Sequence, residues 1–169
     1  MMLLILKWLL IATLVLAAAA VLAGQLGLLS GTPPADLGVH DGKLKRPSRT
    51  PNSVSSQADL WPGDAQQSYA RIAPLQGLAG GREATLARLK TLLLAQPRAV
   101  LVKAEADYLY ATFSTPLMKF TDDVEFWFDP VAQVVQVRSA SRLGRKDMGV
   151  NRARIEAVRA LLMAPSAGG

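Results

Sequence analysis

The chain has 169 residues and a formal net charge of +6, and it contains no cysteine and only one histidine, His40. The lack of cysteine excludes disulfides, thiol nucleophiles and cysteine-ligated metal sites, and a single histidine argues against a Ser/His/Asp triad or a two-histidine metal centre. The basic residues are scattered among carboxylates, so we predict no nucleic-acid partner, no cofactor and no bound metal.

Residues 1–29 form an apolar leader. The 22 residues from Trp8 to Leu29 include only two polar side chains, Thr13 and Gln25, and are long enough to cross about 30 Å of hydrocarbon. This pattern predicts a single-pass membrane anchor over residues 8–29. Residues 21–23 also offer small side chains at the spacing that a signal peptidase accepts, so a cleaved signal peptide is the alternative.

The side of the membrane is indicated by basic residues near the leader. Lys7 and the amino terminus favour a cytoplasmic N-terminus, whereas four basic residues beyond the leader argue the other way: Lys43, Lys45, Arg46 and Arg49. We expect a bacterial inner-membrane protein with its domain on the periplasmic side, or a periplasmic protein if the leader is cleaved. The same basic run lies nearest to anionic lipid headgroups, although a solvated linker is the simpler interpretation.

Composition divides the rest of the chain into three parts. Residues 30–60 are rich in proline, glycine and serine, which predicts a tether and extended arm outside the core. Residues 61–165 carry the alternating and helical patterns of one globular domain. We expect residues 166–169 to form a short flexible tail.

The first helix of the domain is marked by leucines. Leu86, Leu89 and Leu93 repeat at helical spacing. The pattern predicts a helix from about Arg82 to Ala95 that lies on a sheet, and a proline ends it. Just upstream, Ser68–Leu75 is a candidate edge strand.

Two hairpins follow this helix. In the first, residues 98–113 alternate in side-chain type, and a two-residue turn at Ala106-Asp107 would pair Glu105 with Tyr108. This register places the small and apolar residues on one face, with Val102 opposite Ala111 and Val100 opposite Phe113.

In the second hairpin, a loop at residues 130–133 aligns three cross-strand pairs: Phe128 with Val135, Phe126 with Val137, and Glu125 with Arg138. The register is self-consistent. We expect Glu125 and Arg138 to form an exposed ion pair, a contact typically worth less than about 1 kcal/mol.

A final helix is capped by Asn151 and carries an apolar stripe of Ile155, Val158 and Leu162. The element order is then β, α, four β, α. Successive hairpins predict an α+β fold, with a mostly antiparallel four- to five-stranded sheet, two helices packed on one face, and one transmembrane or signal helix at the N-terminus.

Three segments carry a resemblance to a known family: PNSVSSQ (Pro51–Gln57), DDVEFWFD (Asp122–Asp129) and RSASRLGRKDMGVNRARIEAVR (Arg138–Arg159). They resemble the domain-of-unknown-function 1499 family, and the resemblance covers most of the chain after residue 37. It implies a bacterial or plastid protein behind a signal, anchor or lipoprotein leader, and it carries no activity.

The chain departs from that family at two positions. Many members have two cysteines shortly before the Val-Ser-Ser segment, and Arg46 and Ser53 stand at those positions here. A redox or metal role of the cysteine pair therefore cannot apply. Because the Pro-Asn-Ser-Val-Ser-Ser segment is present here without the two cysteines, we expect it to have a structural role, as an extended stretch of chain packed across the domain.

The densest cluster of functional groups runs from the last strand through a glycine-containing loop into the final helix. Free N–H groups at a helix N-terminus, together with adjacent arginines, suit phosphate or carboxylate. We therefore predict an anion site for a lipid headgroup, glycan phosphate or acidic peptide, formed by Arg138, Ser141, Arg142, Asp147, Asn151, Arg152 and Arg154.

The alternative for this cluster is structural. Asp147 or Asn151 would cap the helix, and Asp147 would neutralise its neighbouring arginines. Gly144 and Gly149 would adopt positive φ, and Arg152 would pair with a glutamate, Glu156, one turn later.

A secondary acidic cluster comprises Asp122, Asp123 and Glu125. Alternation places Asp123, Glu125 and Asp129 on one strand face, where oxygen ligands could hold a hard cation. No acid is evident on a second strand, and Arg138 opposes a cation there. We therefore predict no metal at this cluster.

These observations favour a non-catalytic envelope module that binds an anionic envelope component or a protein partner. One alternative is a hydrolase of cell-wall or lipid material that uses Asp122 with Glu125 or Asp147 as general acid and base. Another is a structural subunit of a membrane complex, in which the helix at residues 8–29 carries part of the specificity. No nucleophile elbow, phosphate-cradling loop or dinucleotide fingerprint is present in the sequence, so catalysis is not favoured.

Overall fold

The computed structural model describes residues 1–165, so the tail predicted at residues 166–169 lies outside the described residues. The chain begins with helix α1 (Met2–Gln25), which is exposed along most of its length and touches the domain at its last turn. At about 1.5 Å per residue the helix is about 36 Å long. It is long and apolar enough to cross a membrane or to serve as a signal sequence, as the leader predicts.

Within residues 1–165, six strands form one sheet in which every pairing is antiparallel. They are β1 (Ser53–Ser55), β2 (Leu75–Gln76), β3 (Ala99–Ala104), β4 (Tyr108–Ser114), β5 (Thr121–Asp129) and β6 (Val134–Ser141). The order across the sheet is β1-β6-β5-β4-β3, and β2 pairs with the other end of β6. The predicted α+β fold is confirmed, with two short edge strands where the sequence suggests one.

The same part of the chain contains the helices α2 (Gln67–Ala70), α3 (Gly81–Ala95) and α4 (Val150–Met163), and a 3-10 turn at Ala58–Leu60. The predicted apolar stripes of α3 and α4 both pack on one face of the sheet. They meet inward side chains of the three central strands: Leu109, Ala111, Val124, Phe126, Phe128, Val135 and Val137. This is the main hydrophobic core.

The candidate edge strand at Ser68–Leu75 is wrong for most of its length. Residues 67–70 form α2, whose Ala70 is buried, and pairing with β6 begins only at Leu75. Pro74 has no backbone N–H to donate to a ladder, so the strand starts after it.

The register of the second hairpin, β5–β6, is confirmed at all three pairs. The first hairpin keeps its turn, because the N–H of Glu105 donates to the first carbonyl of β4 at 2.8 Å. A bulge at Val102 then shifts the register, so that Leu101 lies opposite Ala111. The prediction that Val100 and Val102 share the apolar face is wrong: both are more than half exposed, and Leu101 packs against the core instead.

The opposite face of the sheet is covered by residues 36–49, which we call the arm. Leu44 is buried there against aromatic side chains of β4 and β5, with Leu37 and Val39 beside it. The folded part of the chain therefore includes residues upstream of 61, where composition placed the start of the domain. An irregular segment held by side-chain contacts leaves no periodic pattern in the sequence, which is why composition misses it.

Candidate functional site

The N-terminus of α4 is closed by a carboxylate of the chain itself. Asp147 accepts hydrogen bonds from the backbone N–H groups of Gly149 at 3.1 Å and Asn151 at 3.0 Å, and from the hydroxyl of Tyr69. Gly149 has a φ of 82° and stands at the N-cap position. Asp147 is therefore the capping side chain, and it occupies the place that an external anion would take.

Asn151 is fully buried and joins three parts of the fold rather than capping the helix. Its amide contacts Asn52 in the segment before β1, Ser139 and Ser141 on β6, and Asp147 and Arg154 around α4, at 2.5 to 3.1 Å. The Pro-Asn-Ser segment thus packs across the end of the sheet, in the structural role we expected of it. The Asn52 contact is a feature that the sequence analysis missed.

The predicted arginines are matched by partners within the chain. Arg142 makes a two-pronged ion pair with Asp123, at 3.0 Å from Nε and 2.8 Å from Nη2. Arg154 pairs with Asp122 at 2.6 Å. Arg152 donates to two backbone carbonyls, at 2.6 and 2.9 Å, and not to Glu156, so the pair predicted between them is wrong.

Glu156 pairs instead with Arg159, three residues later, at 2.8 Å. For Arg142, Arg152 and Arg154, the contacts within residues 1–165 agree with the structural alternative. They do not form an open anion site at this loop.

The acidic cluster is divided by the sheet. Asp122 lies on the helix side, whereas Asp123 and Glu125 lie under the arm. Glu125 is completely buried, accepting hydrogen bonds from the N–H of Gly38 and the hydroxyl of Tyr108, each at 2.8 Å. Burial, reinforced by the nearby Glu125 carboxylate, raises the pKa of Tyr108.

The ion pair of Glu125 with Arg138 forms as the register predicts, at 3.4 Å, but it is buried and not exposed. The sequence-based prediction is wrong on this point because the arm covers both side chains. A buried pair of this kind has little net stabilising effect, yet removal of one partner is costly, since it leaves an uncompensated charge in a medium of low dielectric constant.

The structure shows how the two carboxylate pairs predicted for acid–base catalysis are placed. Asp122 and Glu125 face opposite sides of the sheet. Asp122 and Asp147 line one shallow cavity of about 340 Å³. Burial raises the pKa of Asp147, but hydrogen bonds from Tyr69, Gly149 and Asn151 outweigh it and lower that pKa overall, opposite to what a general acid needs. Among residues 1–165, no three His, Asp or Glu side chains are grouped to share a metal ion.

A different site lies between the arm, Trp61 and β6, where a cleft of about 590 Å³ opens. Its shape depends on a tight turn at residues 40–43, closed by backbone hydrogen bonds of 2.9 and 3.0 Å. Asp41 and Gly42 both have positive φ, which this kind of turn requires and which Asp-Gly tolerates well. Gln57 secures the turn through the carbonyl of Gly42 and the N–H of Leu44.

Basic side chains outnumber carboxylates around the cleft. Two carboxylates, Asp36 and Asp41, line it together with five basic side chains: Lys43, Lys45, Arg46, Arg49 and Arg138. Three of these are used internally, since Lys45 pairs with Asp36, Arg46 pairs with Asp64 and Arg138 pairs with Glu125. Within the described chain, Lys43 and Arg49 have no carboxylate at ion-pair distance.

Two buried hydrogen-bond donors of this cleft have no acceptor within residues 1–165: Nε of Arg138 and Nε1 of Trp61. The Arg138 side chain is 3% exposed. Burial lowers its pKa, and the charges of Glu125 and Asp123 oppose that effect. An arginine stays protonated under all ordinary conditions, so a guanidinium whose charge is matched by Glu125 lines the cleft with one donor unused.

Comparison with known protein families identifies the family to which the chain belongs. Residues 43–162 match the model of a family described as "Protein of unknown function (DUF1499)". The chain belongs to the DUF1499 family. The matched span includes all six strands described above, α2, α3 and all but the last residue of α4, and it begins inside the arm. No curated protein matches the chain significantly.

Membership of the DUF1499 family confirms the resemblance that the three segments carry, and it brings no activity with it. Of the residues predicted for an anion site, only Arg138 lines the arm cleft. The basic run from Lys43 to Arg49 is the one sequence feature that points to this cleft, but its composition is also that of a solvated linker. Trp61, which closes the cleft, stands alone and has no motif that would single it out.

Proposed function

We propose that this protein is a membrane-anchored, non-catalytic module of the bacterial cell envelope, which binds an anionic group in the cleft under the arm. The ligand would be the phosphate or carboxylate of an envelope lipid or glycan. The observation that carries the proposal is the buried Arg138, whose Nε lacks an acceptor at the base of a basic cleft.

An unsatisfied buried donor costs about 1–3 kcal/mol, so a buried guanidinium with an unused N–H is a suitable place for an acceptor from outside the chain. Trp61 offers a second unused donor at the same cleft. Anionic oxygens make shorter and stronger hydrogen bonds to arginine than neutral acceptors do. A phosphate or carboxylate oxygen that reached either donor would satisfy it.

The rim of the cleft supplies additional charge. Lys43 lies with its ammonium group 5.7 Å from the centre of the Trp61 ring, and the guanidinium of Arg46 lies 5.4 Å from the same ring. These contacts hold cations around the opening. Lys43 and Arg49 remain available to a ligand, which makes them the residues to test first.

The size of the cleft limits the ligand class. Pockets for small molecules usually enclose about 300–1,000 Å³, and the cleft of about 590 Å³ falls in this range. A lipid headgroup, a sugar phosphate or a short acidic peptide would fit, whereas a polymer could contribute only one unit. The proposed location is the inner membrane, with α1 as anchor and the domain on the periplasmic side.

Binding is best tested with the full-length protein in neutral detergent, using a short-chain phosphatidylglycerol and inorganic phosphate as probes. We expect saturable binding by calorimetry that weakens with added salt. Lys43→Ala/Arg49→Ala should bind at least about tenfold more weakly, equivalent to about 1.4 kcal/mol. Arg82→Ala/Lys90→Ala removes the same charge from the exposed surface of α3 and should bind like wild type.

Two results separate the possible ligands. Competition between phosphate and the lipid would identify phosphate chemistry as the shared determinant, and binding of the lipid alone would indicate that the whole headgroup is recognised. Equal affinities of the two double variants, or no binding of either probe, would reject the cleft as a site for anionic phosphates. The hydrolase and structural-subunit alternatives stay predictions, since none of the contacts above favours either.

A further inference from the structure

Helix α1 is held by one end of the domain. At its last turn, the side-chain amide of Gln25 donates to the carbonyl oxygens of Leu117 at 2.8 Å and Pro116 at 3.3 Å. Gly24 is buried against the same loop, and a Cβ at this position would lie 2.6 Å from the carbonyl oxygen of Met118. The close approach therefore requires glycine.

A second loop lies beside this contact. Gly31 follows α1, and a Cβ there would lie 2.8 Å from the Cβ of Arg142 and 3.0 Å from the Cγ of Leu143. The N–H of Arg142 donates to the carbonyl of Thr121 at 3.1 Å. The loops 115–120 and 142–150 are therefore neighbours at the end of the sheet where α1 meets the domain.

These two loops expose large apolar side chains. The exposed residues are Leu117 at 57%, Phe120 at 39%, Leu143 at 43%, Met148 at 88% and Val150 at 49%. Phe120, Leu143, Met148 and Val150 line one shallow cavity. An apolar patch on one end of a domain is typical of a protein or membrane contact.

The charges around the patch favour a membrane. Lys119, Arg145 and Lys146 belong to the same two loops, and both Arg145 and Lys146 are exposed. The sole acid in the two loops is Asp147, which is buried and caps α4. Apolar side chains surrounded by basic residues match the interface of an anionic bilayer.

The opposite end of the sheet has a different composition. Its two turns, residues 105–107 and 130–133, expose one large apolar side chain, Val131, and are flanked by the acids Glu105, Asp107 and Asp129. Of these two ends of the sheet, only the one that contacts α1 combines several exposed apolar side chains with basic ones.

We propose that the loops 115–120 and 142–150 form a docking surface that rests in the headgroup region of the leaflet that α1 enters. The occupant is the surface of an anionic bilayer. α1 brings the domain to this surface, and the two loops set its orientation. Neither loop contributes a residue to the lining of the arm cleft, so the two sites can be tested with separate variants.

The absence of cysteine allows a direct test with the full-length chain. A single cysteine at Met148 would carry an environment-sensitive fluorophore, and Val131→Cys would be the control, since it is an equally exposed apolar residue at the other end. The protein would be reconstituted into phosphatidylcholine/phosphatidylglycerol vesicles, with an intact mass confirming that α1 is present.

With the label at position 148, we expect a blue shift and severalfold stronger quenching by headgroup-depth quencher lipids than with the label at 131. Arg145→Glu/Lys146→Glu should abolish this difference in the anionic vesicles, and Arg82→Glu/Lys90→Glu should leave it unchanged. Equal, weak quenching at both positions would overturn the proposal. A blue shift at 148 without quenching would also overturn it, because the patch would then be covered by protein.

Discussion

On its helix side the sheet is buried by α3 and α4 through aliphatic and aromatic side chains, whereas on its arm side the same strands bury Asp123, Glu125 and Arg138 under an irregular segment. Adjacent cross-strand pairs show the contrast most clearly. Phe126 and Val137 face the helices, and the neighbouring pair Glu125 and Arg138 faces the arm. One register therefore produces two kinds of interior.

The two interiors respond differently to change. Apolar burial is non-directional, so each side chain contributes through its own surface and packing. A buried charge depends on its partner, because an unpaired ion in the interior is far more costly than a neutral group. The arm side should therefore show strong energetic coupling between partners, and the helix side should not.

The largest expected effects come from matched double-mutant cycles on these two neighbouring pairs. Arg138→Met alone should destabilise the fold by about 3–5 kcal/mol because it strands the Glu125 carboxylate. Glu125→Leu/Arg138→Met should recover most of that loss, since no buried charge remains. Urea unfolding of the full-length chain in detergent measures the free energies of unfolding.

On the helix side, Phe126→Ala should cost about 3–5 kcal/mol, and adding Val137→Ala should give no recovery. This pair is the matched control, one residue away in register. If Glu125→Leu/Arg138→Met recovered no more stability than the double variant on the helix side does, the proposed difference between the faces would be contradicted.

A smaller effect concerns the cap of α4 at the end of the sheet. The pKa of Asp147 is held below its ordinary value of 3.8, so its stabilisation is complete above that value and is lost as the pH falls through the lower folded-state pKa. Asp147→Asn should cost about 1 kcal/mol at pH 7, the usual effect of a lost capping interaction. The free energy of unfolding, measured by urea between pH 7 and pH 2, should depend less on pH in this variant than in wild type.

Other carboxylates also have lowered pKa values, among them Asp36, Asp59 and Asp64. Asp59→Asn is a suitable control, since Asp59 is exposed and pairs with an exposed arginine. An acid profile of Asp147→Asn that coincides with wild type would show that the cap does not depend on ionisation.

The smallest effect tests the bulge in β3. Val102→Thr should change the stability by less than about 0.5 kcal/mol, because the side chain is exposed. Leu101→Ala should cost clearly more, since Leu101 packs against the core on the helix side. A larger loss of stability for Val102→Thr than for Leu101→Ala would instead support the register predicted from the sequence.

Much of the helix side can be predicted from the sequence. The leucines of α3, the apolar stripe of α4 and the register of β5 and β6 each follow from spacing within about 20 residues. The turn of the first hairpin is also predictable, but the bulge at Val102 is not. Alternation continues through Val100 and Val102, and only packing of Leu101 on the core distinguishes the two registers.

The arm side could not be predicted, because its contacts join distant residues. Gly38 reaches Glu125, 87 residues away, and Asn52 contacts Asn151, 99 residues away. The candidate site changed for the same reason. Arginines beyond β6 that looked free in the sequence proved to be paired, whereas Lys43, Trp61 and Arg138 meet in one cleft.

The amino-acid sequence by itself determined the apolar leader, the two long helices, the antiparallel hairpins and the family, because periodicity and local motifs specify which surfaces must be buried. The tertiary structure decided which charges are buried and which remain available. That choice depends on what covers each face of the sheet, and an extended arm without a periodic pattern is identified only by the side chains it contacts.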